Sequence, residues 1–189
     1  ILQNQIERHG QNVFKEGTVI IPGQVSISNA YTSIQLASQF GGEDVVVSQY
    51  LNTTNPVTIT GAISGVKAQV IGVKAGTSTT QPVLFVQYIA TGTDNETTTF
   101  SNSENITADA SVTHTTTYAT NVASATTHTS AAQTGVSAKV ENGVYYIKGQ
   151  FVRVAEQTHV VSDSDPTATA RVGFSITESL ITPEADSSL

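Results

Sequence analysis

Two histidines, His114 and His128, stand 14 residues apart, an even spacing that would set both on one face of an extended chain. A metal site there would need a third ligand and hydrogen-bonding support behind the rings. Thr, Ala and Ser dominate the segment between them, and Asp109 is the nearest carboxylate. The pair therefore reads as two exposed histidines in a polar stretch, and His9 and His159 read as ordinary surface or interface residues. Close carboxylates occur at Glu43-Asp44, Asp163/Asp165 and Glu184/Asp186. Asp163-Ser164-Asp165 opens like a calcium loop but lacks the glycine at the sixth position and the glutamate at the twelfth, so it reads as a solvated turn before Pro166. Ser and Thr abound, yet no G-x-S-x-G elbow presents one to a histidine. The glycines of residues 61–76 are each followed by strand pattern rather than by a helix that could cradle phosphate. With no cysteine, thiolate catalysis, zinc-cysteine sites and disulfides are excluded together. The expectation is a chain with no catalytic, cofactor or metal site, and not an enzyme.

The elements that would have to carry any site are mostly strands. The chain has 29 Thr and 19 Ser against 12% charged and 6% aromatic residues, so its core must rest on Val, Ile and Ala. β-Branched and hydroxyl residues disfavour helix interiors and suit a pleated surface. Leu2, Ile6 and Val13 fall at near-helical spacing, which predicts a short helix over residues 1–14, weakened at Gly10. Val25 and Ile27 alternate with Ser26 and Ser28 as in a half-buried strand, and Val45, Val46 and Val47 suit a buried one. VTITGAI, VKAQVIGVKA and PVLFVQYIA read as three strands separated by short turns. Asn142-Gly143 between apolar flanks predicts a hairpin turn. After it, Tyr145, Ile147 and Phe151 would share one face, with Tyr146, Val152 and Val154 on the other. Two apolar faces imply burial between layers or at a subunit contact. Val172, Phe174 and Ile176 repeat the alternation before Pro183 and an acidic tail.

The fold expected is mainly β, a sandwich or small barrel with a short N-terminal helix and little other α structure. Three parts are expected: a helix and β base from 1–50 with 139–189, an inserted barrel-like unit over 51–105, and a Thr/Ala-rich variable insert over 106–138. Large apolar residues are too sparse in the insert for an independent core. Tyr145, Tyr146, Ile147, Phe151 and Phe174 are the expected core or contact residues.

The net charge of −7, with no Lys or Arg between 75 and 138, argues against nucleic acid as a partner. No run approaches the ~18 apolar residues of a membrane span, so no membrane partner is expected. Asn52, Asn95 and Asn105 begin N-x-S/T triplets, an expected coincidence in so Thr-rich a chain. Ile1 is not a natural start residue, and the expectation is that the sequence is a piece of a longer protein.

Three stretches, residues 1–23, 142–154 and 171–189, resemble a domain of unknown function in structural proteins of tailed bacteriophages, chiefly contractile-tailed phages of marine bacteria. The string Gln3-Asn4-Gln5-Ile6-Glu7, followed by Gly10, Phe14 and Gly17, is the most distinctive part of the likeness. The resemblance implies a virion location and a tail, baseplate or fibre-attachment component that contacts other virion proteins. It also implies a homo-oligomer, with a trimer as the first expectation, and supplies no catalytic or ligand-binding residues. The alternative is a receptor- or glycan-binding module, for which Tyr88, Tyr118 and Phe100 are the available aromatics.

Overall fold

A computed structural model describes Gln5 and residues 13–15 and 17–177. Gln5 and Val13 are helical; the rest of the helix expected over 1–14 lies outside the described residues, as do Pro183, Glu184 and Asp186. The chain is mainly β. In order, the strands are β1 Val19–Ile21, β2 Val25–Leu36, β3 Gln39–Phe40, β4 Glu43–Asp44, β5 Thr58–Gly61, β6 Lys67–Lys74, β7 Val83–Ala90 and β8 Asn105–Ala108. They continue with β9 Val112–Thr113, β10 Thr117–Tyr118, β11 Ala123–Val140, β12 Gly143–Ile147, β13 Gln150–Val154 and β14 Gln157–Ser162.

Six of these strands close on themselves. β11, β2, β7, β6, β5 and β8 are hydrogen-bonded in that order, every pairing is antiparallel, and β8 returns to pair with β11. Alternation fills the ring. Ile34 and Leu36, Ala68 and Val70, Leu84 and Val86, and Ile106 and Ala108 point inward at i and i+2, with Ile59 and Ala125 beside them. The mixture of Ala with Ile and Leu suits a narrow interior, where bulky side chains from every strand would not fit together. A 3₁₀ helix, Val47–Tyr50, plugs the ring with Val47 and Tyr50. It occupies part of the stretch that the valine run marks as a strand: only Glu43 and Asp44 before it pair as β.

The ring draws strands from all three of the segments expected as separate parts. β5, β6 and β7 come from 51–105, β2 from the N-terminal segment, and β8 and the first half of β11 from 105–138. The Thr/Ala-rich stretch supplies ring wall and core, because Ile106, Ala108, Val112 and Ala125 are buried there. Small side chains are what this wall requires, so a scarcity of large ones does not keep the stretch out of the core.

β2 and β11 are long enough to leave the ring as a ribbon. Residues 25–28 of β2 pair with 137–140 of β11, and β14 adds to the far side of β11. Beyond the ribbon, β12 is flanked by β1 and β13 in a three-stranded base. Its hairpin turn is Lys148-Gly149, where both residues have positive φ (48° and 84°) as a type I′ turn demands, with Ile147 opposite Gln150. Asn142-Gly143 is therefore not the hairpin turn. It links β11 to a strand of another sheet, and the Asn142 Oδ1 accepts from the Glu156 N–H at 3.2 Å. The facing expected for the aromatics changes with it: Phe151 lies opposite Tyr146, and Val152 opposite Tyr145.

A backbone crossing ties the ribbon to the ring. A Cβ on Gly135 would lie 1.9 Å from the Ser162 carbonyl oxygen, and the Ser33 hydroxyl donates to the Asp163 carbonyl at 2.7 Å. Gly135→Ala must part the two backbones, at a cost of about 1–3 kcal/mol, the usual range for overpacking. Thermal denaturation followed by circular dichroism should show a lower Tm. An unchanged Tm would mean that the crossing yields freely.

Candidate functional site

Most of the histidines and carboxylates that chemistry could use are spent on fastening loops. His114 is half-buried rather than exposed. Its Nδ1 accepts from the Val46 N–H at 3.1 Å and its Nε2 donates to the Ser124 carbonyl at 2.8 Å, so both ring nitrogens are occupied by backbone. The His128 Nδ1 accepts from the Ser130 N–H at 3.3 Å, and His159 is exposed on β14. Glu43 accepts from the Thr116 hydroxyl at 2.6 Å and from the backbone N–H groups of Thr115 and Thr116, while Asp44 accepts from Gln39. Asp163 is ion-paired with Lys74, and Asp165 accepts from the backbone and hydroxyl of Thr167. Among the described residues no three His, Asp or Glu side chains converge in a way that could hold a metal ion.

These bonds give the fold a pH signature. The Thr116 hydroxyl and N–H hold the Glu43 carboxyl below its usual range, and Thr97 does the same for Asp94 and Thr167 for Asp165. At Asp163, partial burial pushes upward but is outweighed by Lys74, so the net shift is downward. A carboxyl with a lower pKa in the folded state contributes stability that is fully present above its unfolded value, about 4 for Asp and Glu. That stability is lost as the pH falls through the depressed folded values. Burial pushes the Tyr50 phenol the other way, up to about 12, against the opposing hydrogen bond to Ser124 and with a further rise from Tyr118. Its contribution is present below about 10, the unfolded value, and is lost as the pH climbs toward the folded one. Tm should therefore be level between about pH 5 and 9 and fall on both sides. A maximum at pH 4 or below would contradict these assignments.

One buried carboxylate carries no sequence signal at all. Glu104 is 0% exposed and accepts four hydrogen bonds: Ile63 N–H (2.8 Å), Ser64 N–H (2.9 Å), Ser64 hydroxyl (2.7 Å) and Ser101 N–H (2.7 Å). Its own N–H donates to the Thr127 hydroxyl at 2.9 Å, and the Thr127 N–H donates to its carbonyl at 2.8 Å. Glu104 thus pins the β5–β6 turn to β11 through backbone donors. Nothing in Ser101-Asn102-Ser103-Glu104 distinguishes this residue from a surface glutamate.

Exposed apolar residues occur on the ring, at Ile63, Ile71 and Ile89, and in greater number on the ribbon, the base and the segment after β14. Residues paired across antiparallel strands share a face. Val25 is opposite Val140, Ile27 opposite Ala138, and Ala138 and Val140 in turn opposite His159 and Gln157. One face of the ribbon therefore carries Val25, Ile27, Ala138 and Val140, with Gln157 and His159 on its β14 side, and the other carries Ser26, Ser28, Ser137, Lys139 and Thr158, with Val160. On the apolar face Val25 is 62% and Ile27 75% exposed. Residues 170–174 run over part of it and leave an open groove of about 560 Å³. Val172, Phe174 and Ile176 on that segment remain substantially exposed, as do Val19, Ile21, Phe151 and Val152 in the base.

The five residues expected as core or contacts gather in this region. Tyr146 is 3% exposed and packs on Phe14 and Phe151, with ring centroids at 5.7 and 5.4 Å. Tyr145 and Ile147 are half-buried, and Tyr145 meets Phe174 edge-on at 5.6 Å. The three glycan-site candidates are divided: Phe100 is buried against Tyr88 in the ring, whereas Tyr118 packs on Phe40 and His114 beyond it. Comparison with protein-family models, curated proteins and solved structures finds no match for this chain. What the surface can do must be read from its own chemistry. Exposed apolar area of this kind is suited to protein–protein contact.

Proposed function

We propose that this chain is a structural module of a phage virion, a tail, baseplate or fibre-attachment component that works by packing against further copies of itself and neighbouring virion proteins. The observation that carries the assembly part is the contrast between two regions. The six-stranded ring, which we read as a small closed barrel, buries its own core. The ribbon exposes Val25 and Ile27, the base Val19, Ile21, Phe151 and Val152, and the segment after β14 Val172, Phe174 and Ile176. Isolated exposed apolar residues are ordinary, but a ribbon with one apolar face calls for a covering layer. The virion part rests on the resemblance of residues 1–23, 142–154 and 171–189 to phage structural proteins, and the threefold state is proposed on the same likeness. Immunogold labelling of phage particles with an antibody against this chain tests the location. Gold on the tail or baseplate is expected, and particles without label would overturn it.

A second reading, a receptor or glycan reader, draws on the half-exposed cluster of Phe40, Tyr118 and His114, whose ring centroids lie 5.3–5.5 Å apart. Aromatic faces beside hydroxyl-rich loops suit sugar stacking. A glycan array on which Tyr118→Ala abolishes a signal would favour it, and an array without hits would remove it.

A further inference from the structure

After β14 the chain turns at the ring and runs back toward the base. At the ring end Asp163 is ion-paired with Lys74, and its carbonyl accepts from the Ser33 hydroxyl at 2.7 Å. A tight reversal follows. The Asp165 N–H donates to Ser162 Oγ at 3.0 Å, the Asp165 carboxylate accepts from the N–H and hydroxyl of Thr167 at 2.8 and 2.7 Å, and the Ala168 N–H donates to the Asp165 carbonyl at 3.3 Å. At the base end Phe174 meets Tyr145. The segment thus returns antiparallel to β14, and the groove between them has walls of matching length, 157–161 and 170–174. Residues 169–177 nevertheless make no hydrogen bond to any described residue, and all nine are exposed. Their sequence is that of a strand, with Ala170, Val172, Phe174 and Ile176 alternating with Arg171, Gly173 and Ser175. Beside them the outer edge of β14 is unpaired, and QTHVVS holds none of the charged residues or prolines that normally blunt an edge.

We propose that residues 169–177 are a strap that closes onto the free edge of β14 as a fourth strand of the ribbon when assembly covers the apolar face. This deepens, and rests on, the assembly reading. A partner packed on that face needs the space over Val25, Ala138 and Val140 that residues 170–174 overhang. The reversal over 162–168 tethers the strap to the end of β14, so the unpaired edge alongside is within its reach. Hairpin pairing about that reversal sets Val161 opposite Ala170, His159 opposite Val172 and Gln157 opposite Phe174, as the matched walls of the groove do. This register sorts the side chains by character. Ala170, Val172, Phe174 and Ile176 fall on the face of Val25, Ile27, Ala138 and Val140, while Arg171, Gly173 and Ser175 fall with Ser26, Lys139 and Thr158. A slip of one residue would turn the apolar set to the polar face. Closure therefore gives the strap backbone partners, covers an unprotected edge and widens the apolar face from three strands to four. Open, the strap masks part of the assembly surface; closed, it adds to it.

The chain has no cysteine, so introduced thiols report without interference. Thr158 and Gly173 stand opposite each other in the closed register, and a Cβ on Gly173 meets nothing within 4 Å in the open one. Residues directly opposed on antiparallel strands come close enough for a disulfide. Under mild oxidation, Thr158→Cys with Gly173→Cys should form an intramolecular disulfide at least about tenfold faster than Thr158→Cys with Val172→Cys, whose thiols face opposite sides. The first pair should also react faster in the associated chain than in the chain diluted until it dissociates. Equal rates for the two pairs would mean a loose segment without register and overturn the proposal. Disulfides formed only between copies would mean that a neighbour supplies the strand, and would overturn it too. A rate indifferent to association, in a chain that light scattering shows to assemble, would overturn the coupling and leave the assembly reading standing. A chain that closes the disulfide in register yet keeps the mass of one copy at every concentration would overturn the assembly reading instead, with the strap pairing upheld.

Discussion

Glu104→Ala is expected to destabilise the fold by about 3–5 kcal/mol, the largest effect of any single substitution away from the apolar core. The carboxylate takes four hydrogen bonds in a site with no solvent access, and three of the donors are backbone N–H groups. Each donor stranded without a partner costs roughly 1–3 kcal/mol, less whatever relaxation recovers. For a chain of this size about 3 kcal/mol corresponds to a Tm lower by roughly 6–12 °C. Glu104→Gln is the sharper control. It preserves volume but turns an NH₂ group toward two of the donors, so it should recover only part of the loss. A Tm within about 2 °C of the parent for Glu104→Ala would show that the turn and loop are held by something else. The carboxylate would then be incidental to the closure of the ring.

The second large effect falls on assembly and leaves the fold alone. Val25→Asp with Ile27→Asp puts two carboxylates on the apolar ribbon face, where they are harmless to a single chain because both side chains are mostly exposed. Surface changes of this kind usually alter stability by no more than about 0.5 kcal/mol each. In a packed assembly each buried, unpaired charge costs several kcal/mol. An expected penalty of at least about 4 kcal/mol per contact weakens association about a thousandfold or more. The predicted outcome is a chain that no longer associates and whose Tm, independent of concentration, matches that of the parent diluted until it dissociates. A Tm below that of the dissociated parent would place Val25 and Ile27 in the core of the single chain, contrary to their exposure.

How much of this was legible in the sequence depended on whether a pattern was local. β5, β6 and β7 could be read because each strand alternates or runs apolar between Gly, Ser and Thr turns, and they form a consecutive meander. Ring closure could not be read. It depends on β8 returning to β11, and the residues that do this, Ile106, Ala108 and Ala125, lie among threonines and alanines whose fitness for a narrow interior is a property of the whole ring. The base hairpin turns one strand later than the sequence suggests, because Asn142-Gly143 is the stronger local turn signal. Lys148-Gly149 wins because the ladder it closes places Tyr146 against Phe151 and Phe14, tertiary contacts with no trace in the dipeptide. The half-burial of His114 leaves no local trace, because its partners, Val46 and Ser124, are 68 and 10 residues away. Glu104 shows the same limit most fully. Tyr145, Tyr146, Ile147 and Phe151 lie in the base and Phe174 in the segment after β14, and their alternation marks them as apolar whichever face each takes.

The central claim is that the ribbon and base are an assembly surface. Sedimentation velocity on the chain across a wide concentration range, beside Val25→Asp with Ile27→Asp, tests it most directly. The account predicts a trimer for the parent chain and a single chain for the variant at the same concentrations. A parent chain that sediments as a single copy throughout, indistinguishable from the variant, would contradict it.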